Sequence, residues 1–126
     1  MMNTKSKNYL EECRAALSAE QAQSLATTGN WSHVDKQKVH TDWDELYRKI
    51  VPVIDLLHPS AEPVQALIAE HYAILSRFYK PSKRAYIGIS LLYSEDQNMM
   101  NFHTGYHRDM VPFMAQAMSV YAEANL

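Results

Sequence analysis

Two histidines, His103 and His107, have the spacing most suggestive of chemistry in this sequence, because they lie four residues apart. On an α-helix this separation places two imidazoles on one face, where they can bind zinc together. Asp109 is close in sequence, but no cysteine or carboxylate motif accompanies the pair, and Gly105 between them weakens the helix. We therefore favour solvated histidines, or histidines at the rim of a cleft, over a metal site. A metal-dependent enzyme is the least favoured function.

His71 is the other histidine in a position to act on a bound molecule. It lies on the apolar stripe of a predicted helix, so it is either a core histidine with one hydrogen bond or part of a pocket lining. Burial would keep its imidazole neutral, with one donor and one acceptor. The sequence shows no recognisable nucleophile–base pair, glycine-rich phosphate loop or paired-carboxylate motif, so we expect neither catalysis nor a cofactor.

Tyrosine is frequent, with 8 in 126 residues. A buried phenol needs a hydrogen-bond partner, and flat aromatic surface with a few such groups is typical of small-molecule sites. Several methionines add side chains that adapt their shape to different ligands. Core packing is the alternative interpretation, above all for Trp43 and Phe78. The candidate ligand-binding residues are Tyr47, His71, Tyr72, Leu75, Tyr86, Tyr93, Met99, Phe102, His103 and Tyr106.

Two short helices that meet at a tight corner, within residues 62–93, must position most of these candidates. Pro63 is suited to the first turn of the first helix, where its missing N–H has no helical partner. Pro81 ends that helix, and the Ser82 hydroxyl is placed to cap the second one. The inner wall of the corner would then carry His71 and several tyrosines.

The remaining elements flank this corner. A longer helix is predicted at about residues 33–57, with Ser32 as its N-cap, and two further helices follow Asp96. Residues 1–30 offer two short helices with few and small apolar side chains, which barely offset an ordering cost of roughly 1–2 kcal/mol per residue. We expect this N-terminal arm to be mobile, or ordered only by a partner, and residues 31–126 to form the helical core.

Composition narrows the class of protein. A chain of 126 residues suits a single all-α domain, 1–126, built as a compact bundle of about five to seven helices. A net charge of −2 with scattered lysines and arginines argues against nucleic-acid binding by this chain alone. No apolar run approaches the roughly 18 residues of a membrane span, and the first residues lack the apolar part of a signal peptide. With one cysteine, we expect a cytoplasmic protein.

Four segments, in this order, resemble the TipAS family, the antibiotic-recognition domain found at the C-terminus of certain MerR-type regulators and also as a free-standing protein. They are WSHVDKQKVHTDWDEL, EPVQALIAEHYAILSRFY, GISLLYSED and FMAQAMSVYAE. His71 stands at the family's histidine, and Gly88, Tyr93 and Asp96 match the pattern that follows it. The resemblance runs from about Tyr9 to the end and is weakest over the N-terminal arm.

The resemblance implies a globin-like helical fold without haem, and a deep apolar cleft for a thiopeptide-like or polycyclic antibiotic. It also implies an N-terminal arm that becomes ordered with the ligand, and a non-catalytic role in drug resistance by sequestering or sensing. The regulator's DNA-binding segment is absent, so the sequence resembles the free-standing form. Covalent capture is not expected, because the corner FYKPSKRAYIGI has no cysteine and Cys13 lies in the arm.

A protein-interaction domain is the rival hypothesis. Its cleft would receive a helix of a partner in a transcriptional regulator system, or of a second copy in a homodimer. A mass that depends on protein concentration, without small-molecule binding, would favour this rival.

Overall fold

The computed structural model describes residues 6–126, and in this part of the chain it contains six α-helices and no strand. This confirms the predicted all-α class and bundle. None of the helices described is long and apolar enough to cross a membrane. The helices are α1 (Lys7–Thr27), α2 (Lys36–Ile54), α3 (Glu62–Leu75), α4 (Lys83–Glu95), α5 (Gln97–Thr104) and α6 (Met110–Asn125).

The corner between α3 and α4 forms for the reasons read from the sequence. Pro63 lies in the first turn of α3, where the missing N–H costs no hydrogen bond. The Ser82 hydroxyl accepts a hydrogen bond from the Ala85 N–H at 3.2 Å and caps α4. Asp96 caps α5 in the same way, by accepting from the Met99 N–H at 3.0 Å.

The predicted start of α2 at Ser32 is wrong. The helix begins at Lys36, and its N-cap is Asp35, whose carboxylate accepts from the Lys38 N–H at 3.1 Å. The Ser32 hydroxyl instead donates to the Thr28 carbonyl at 2.8 Å, at the end of the preceding helix. The start moves because the Ser32 hydroxyl is engaged with the Thr28 carbonyl, and Asp35 supplies the cap instead.

A left-handed turn at residues 29–31 joins α1 to α2. Gly29, Asn30 and Trp31 have φ angles of 61°, 60° and 62°. Left-handed backbone costs a residue with a side chain roughly 1–2 kcal/mol, and a bulky tryptophan adopts it rarely. The Trp31 side chain holds the turn, since its indole N–H donates to the Ser24 hydroxyl at 2.9 Å and its ring packs edge-on against Phe78.

Gly29→Ala tests this turn. We expect a loss of about 1 kcal/mol in the free energy of unfolding, because alanine is strained at positive φ. Gly105→Ala is the matched control, since Gly105 has φ −61° and tolerates a side chain. Urea unfolding of both variants measures the difference. Equal effects would show that the left-handed turn places no constraint on residue 29.

Helix α4 lies at the centre of the bundle and packs against α1, α5 and α6. Most of its residues are therefore buried, from Ala85 to Tyr93. Gly88 faces α1 so closely that a Cβ atom placed on it would lie 2.5 Å from the Cys13 carbonyl oxygen. The absence of a side chain at residue 88 is what lets the two helix backbones approach each other.

Helix α1 is one helix of 21 residues, where the sequence predicted two short ones. Residues 7–27 contain neither glycine nor proline and are rich in alanine, leucine, glutamate and glutamine, so nothing in them interrupts a helix. The sequence also predicted that this segment buries few side chains, and only Cys13, Leu17 and Ser24 are buried in α1. The mobility of the arm stays a prediction.

Polar contacts attach the middle of α1 to the two ends of α4. At one end of α4, Glu20 accepts hydrogen bonds from the backbone N–H and the hydroxyl of Ser82. At the other, the Arg14 guanidinium makes a bidentate contact with the Glu95 carboxylate. All four residues are at least partly exposed to solvent, and exposed ion pairs contribute little to stability. These contacts therefore set the register of α1 on α4 but add little stability.

Candidate ligand-binding groove

An apolar groove of about 180 Å³ opens at the corner between α3 and α4. Its walls come from five helices and two connections, and α6 contributes no lining residue. We call this site the groove. Its lining residues are Gln21, Trp31, Trp43, Leu75, Phe78, Tyr79, Pro81, Ile89, Leu92, Tyr93 and Met99.

Aromatic rings form one wall of the groove, and the break between α3 and α4 places them there. Phe78 and Tyr79 lie between the end of α3 and Pro81. Because they are outside the helix, the directions of their side chains do not follow its 3.6-residue period. Trp31 packs edge-on against Phe78 with ring centroids 4.9 Å apart, and Trp43 stacks on it at 6.4 Å. The result is a wall of aromatic rings against which the rings of a ligand can pack.

Two hydrogen-bond donors of the groove have no partner. The Trp43 Nε1 and Tyr79 Oη atoms are buried, and they are the two buried side-chain polar atoms in residues 6–126 that lack a hydrogen bond. Burial raises the pKa of the Tyr79 phenol to about 12, so it keeps its proton. Leaving such a group unsatisfied costs roughly 1–3 kcal/mol, which makes the pair an unusual feature of a native interior.

A hydrogen-bonded core lies directly behind the groove, and His71 is its centre. The His71 ring is completely buried, with Nδ1 2.8 Å from the Tyr86 hydroxyl and Nε2 3.0 Å from the Tyr93 hydroxyl. Burial, with a smaller effect of His103, lowers the pKa of His71 to about 3. The neutral ring donates through one nitrogen and accepts through the other, so both neighbouring phenols are satisfied.

His103 continues this core towards α5. Its Nδ1–H donates to the Met99 carbonyl at 2.7 Å, so Nε2 accepts from the Tyr47 hydroxyl at 2.8 Å. Its ring lies against that of Tyr93, with centroids 3.9 Å apart, and burial lowers its pKa. Two groove residues, Tyr93 and Met99, are thereby tied to a rigid polar core.

The zinc-binding arrangement suggested by His103 and His107 is not formed. Helix α5 ends at Thr104, so the two rings are not on one helical face. The His107 Nε2 atom lies 3.0 Å from the Asp55 carboxylate, away from the His103 contacts. The described part of the chain contains no group of three or more potential metal ligands.

The structure separates the predicted site residues into three groups. Those on the groove are Leu75, Tyr93 and Met99. Those in the buried core behind it are Tyr47, His71, Tyr86 and His103.

The remaining candidates, Tyr72, Phe102 and Tyr106, lie elsewhere. Tyr72 is buried beside Tyr86, and its hydroxyl donates to the Pro81 carbonyl. Phe102 is 52% exposed and lines a separate shallow surface between α2 and α5 with Tyr106, whose hydroxyl donates to Asp44 at 2.7 Å. Their contact with a ligand stays a prediction.

Sequence reasoning did not select eight lining residues, and it assigned two of them, Trp43 and Phe78, to the core. One signal could have found part of this set, namely the aromatic pair shortly before Pro81. The eight residues are Gln21, Trp31, Trp43, Phe78, Tyr79, Pro81, Ile89 and Leu92.

An apolar groove lined by aromatic side chains is the kind of site in which proteins commonly bind small molecules. The family model of the TipAS antibiotic-recognition domain matches residues 6–121, and the chain belongs to this family. The resemblance carried by the four sequence segments is thus confirmed. Neither a curated protein nor a solved structure matches the chain.

Proposed function

We propose that this protein binds a bulky, largely apolar, antibiotic-like molecule in the groove and sequesters or senses it without converting it chemically. The observation that carries the proposal is the convergence of Trp31, Trp43, Phe78, Tyr79 and Tyr93 on one groove in a chain of an antibiotic-recognition family. Stacked aromatic walls favour a polycyclic or thiopeptide-like ligand with planar rings.

The size of the groove implies that one wall moves when such a ligand binds. A volume of about 180 Å³ is below the roughly 300–1,000 Å³ of typical ligand pockets. The wall that moves most easily is the one from α1 and the left-handed turn, which supplies Gln21 and Trp31. Few buried residues and exposed ion pairs hold α1 in place, which is typical of a segment with low local stability. We infer that α1 acts as a lid.

A thermal-shift screen against peptide and polycyclic antibiotics tests the proposal. A ligand at about 100 times its Kd adds roughly 2.7 kcal/mol of stability, and we expect a clear rise in Tm for the right class. Leu92→Trp fills the groove and should weaken binding at least about tenfold, as replacing a groove contact by a steric block does. Leu56→Trp, at a side chain that is 77% exposed and outside the groove, is the control.

The proposal has two parts, binding in the groove and closure by α1, and a different result would contradict each. If Leu92→Trp leaves the affinity of a hit unchanged, that compound binds outside the groove. A hit that leaves the hydrogen exchange of residues 6–31 unchanged binds without the lid, so that only the lid is refuted.

A protein partner is the second candidate, favoured by the exposed apolar side chain of Met99 on the groove. Its helix, or that of a second copy, would occupy the groove in place of a small molecule. Sedimentation at several concentrations distinguishes the two, because a self-associating domain gains mass and a small-molecule binder does not.

A further inference from the structure

We propose that the groove selects planar ligands with hydrogen-bond acceptors at the ring edge, and that Trp43 and Tyr79 are the residues that recognise those acceptors. This inference rests on the proposed function, since it assumes a small molecule in the groove. It adds the chemical class of the ligand: an aromatic system with ring nitrogens or carbonyl oxygens, rather than a plain hydrocarbon.

Two residues of the groove carry donors without a partner. An indole N–H can only donate, and a protonated phenol donates readily. Both Trp43 Nε1 and Tyr79 Oη are buried without a partner, and both residues line the groove. Both atoms lie beneath the surface of the groove, so an acceptor on the ligand satisfies them when the wall moves to admit the ligand.

The other polar groups of the aromatic wall are already engaged. The Trp31 indole N–H donates to the Ser24 hydroxyl at 2.9 Å, and the Tyr93 hydroxyl is 3.0 Å from His71 Nε2. A ligand therefore meets stacking surface from Trp31 and Tyr93, and donors from Trp43 and Tyr79. Unpaired polar groups in a site discriminate strongly against ligands that cannot pair them.

Two flat bicyclic probes of nearly equal shape test this selection. Quinoxaline carries two ring-nitrogen acceptors, whereas naphthalene carries none. Each probe is added at the same concentration to ¹⁵N-labelled protein, and the indole N–H signals of the two tryptophans are followed by NMR. Trp31 is an internal control, because it lines the same groove but its N–H is already hydrogen-bonded.

We expect quinoxaline to bind more tightly than naphthalene and to move the Trp43 indole proton downfield more than that of Trp31. Tyr79→Phe, which keeps the ring, should weaken quinoxaline binding about three- to tenfold, as expected for loss of one hydrogen bond, and leave naphthalene binding unchanged. It should unfold at a urea concentration no lower than the wild type, because it removes an unsatisfied donor. Trp43→Phe also removes ring surface from the wall, so it should weaken the binding of both probes, and that of quinoxaline more.

Three outcomes decide the matter. The pattern above supports the inference. Equal groove binding of both probes, unaffected by Tyr79→Phe, overturns the acceptor selection but leaves the groove as a ligand site. No shift of any groove resonance by either probe overturns the groove as an aromatic-ligand site, and the acceptor selection with it.

Discussion

Gly88→Ala is expected to lower the free energy of unfolding by about 2–4 kcal/mol, in the range of severe overpacking. The added Cβ would lie 2.5 Å from the Cys13 carbonyl oxygen and 3.1 Å from the Leu17 Cβ. The closest atom belongs to the backbone of α1, which cannot move without the rest of that helix. The whole helix must therefore shift away from α4, and with it the lid over the groove.

Urea unfolding and the labelling rate of the Cys13 thiol together measure this effect. Cys13 is the sole cysteine and is fully buried, so a thiol reagent reaches it only when α1 separates from α4. Gly88→Ala should speed labelling, whereas Gly105→Ala should not. Unchanged stability and labelling in Gly88→Ala would show that the close approach of α1 to α4 is not needed for the fold.

Acid is expected to destabilise the protein well before its carboxylates are protonated. The folded pKa of His71, about 3, lies below the ordinary value of 6.5. The unfolded chain therefore binds an extra proton between these pH values, and stability falls as the pH is lowered through 6.5 towards 3. One such histidine accounts for roughly 2–3 kcal/mol between pH 7 and pH 4.5, at about 1.4 kcal/mol per pH unit. His103 adds to this loss, since its pKa is also lowered.

Urea unfolding at a series of pH values checks this prediction. His71→Gln should flatten the pH dependence between pH 6.5 and pH 4.5, leaving the part due to His103. If that variant does not fold, NMR titration of the wild-type ring gives the same answer, because the His71 signals should not move above pH 4.5. Titration of His71 near pH 6 would contradict the prediction. Burial, with a smaller effect of His103, explains why the ring stays neutral.

Much of the fold follows from local signals in the sequence. Pro63, Ser82 and Asp96 mark helix ends by mechanisms that involve only a few neighbouring residues, and each acts as predicted. Pro81 does not end α3, because that helix already stops at Leu75. Local reasoning fails at the end of α1, because the left-handed turn depends on the docking of Trp31 against Phe78, 47 positions further along the chain. Contacts between residues far apart in the chain cannot be predicted from local signals in a single sequence.

The candidate site was harder to predict than the fold. Residue type alone does not distinguish a tyrosine that satisfies a core histidine, such as Tyr86, from one that faces a groove, such as Tyr79. Both are aromatic and part of the same corner. The distinction depends on which partner each hydroxyl finds, and that is decided by the arrangement of α3, α4 and α5 in space.

The placement of both tryptophans in the groove has an optical consequence. Trp31 and Trp43 are the two tryptophans of the chain, and both line the groove. Fluorescence excited selectively in tryptophan therefore originates entirely from its walls, with no background from the rest of the protein. An aromatic occupant that absorbs the emitted light would dim it by energy transfer, and displacement of water would shift it to the blue. The protein thus carries an intrinsic spectroscopic probe of whatever enters the groove, without any attached dye.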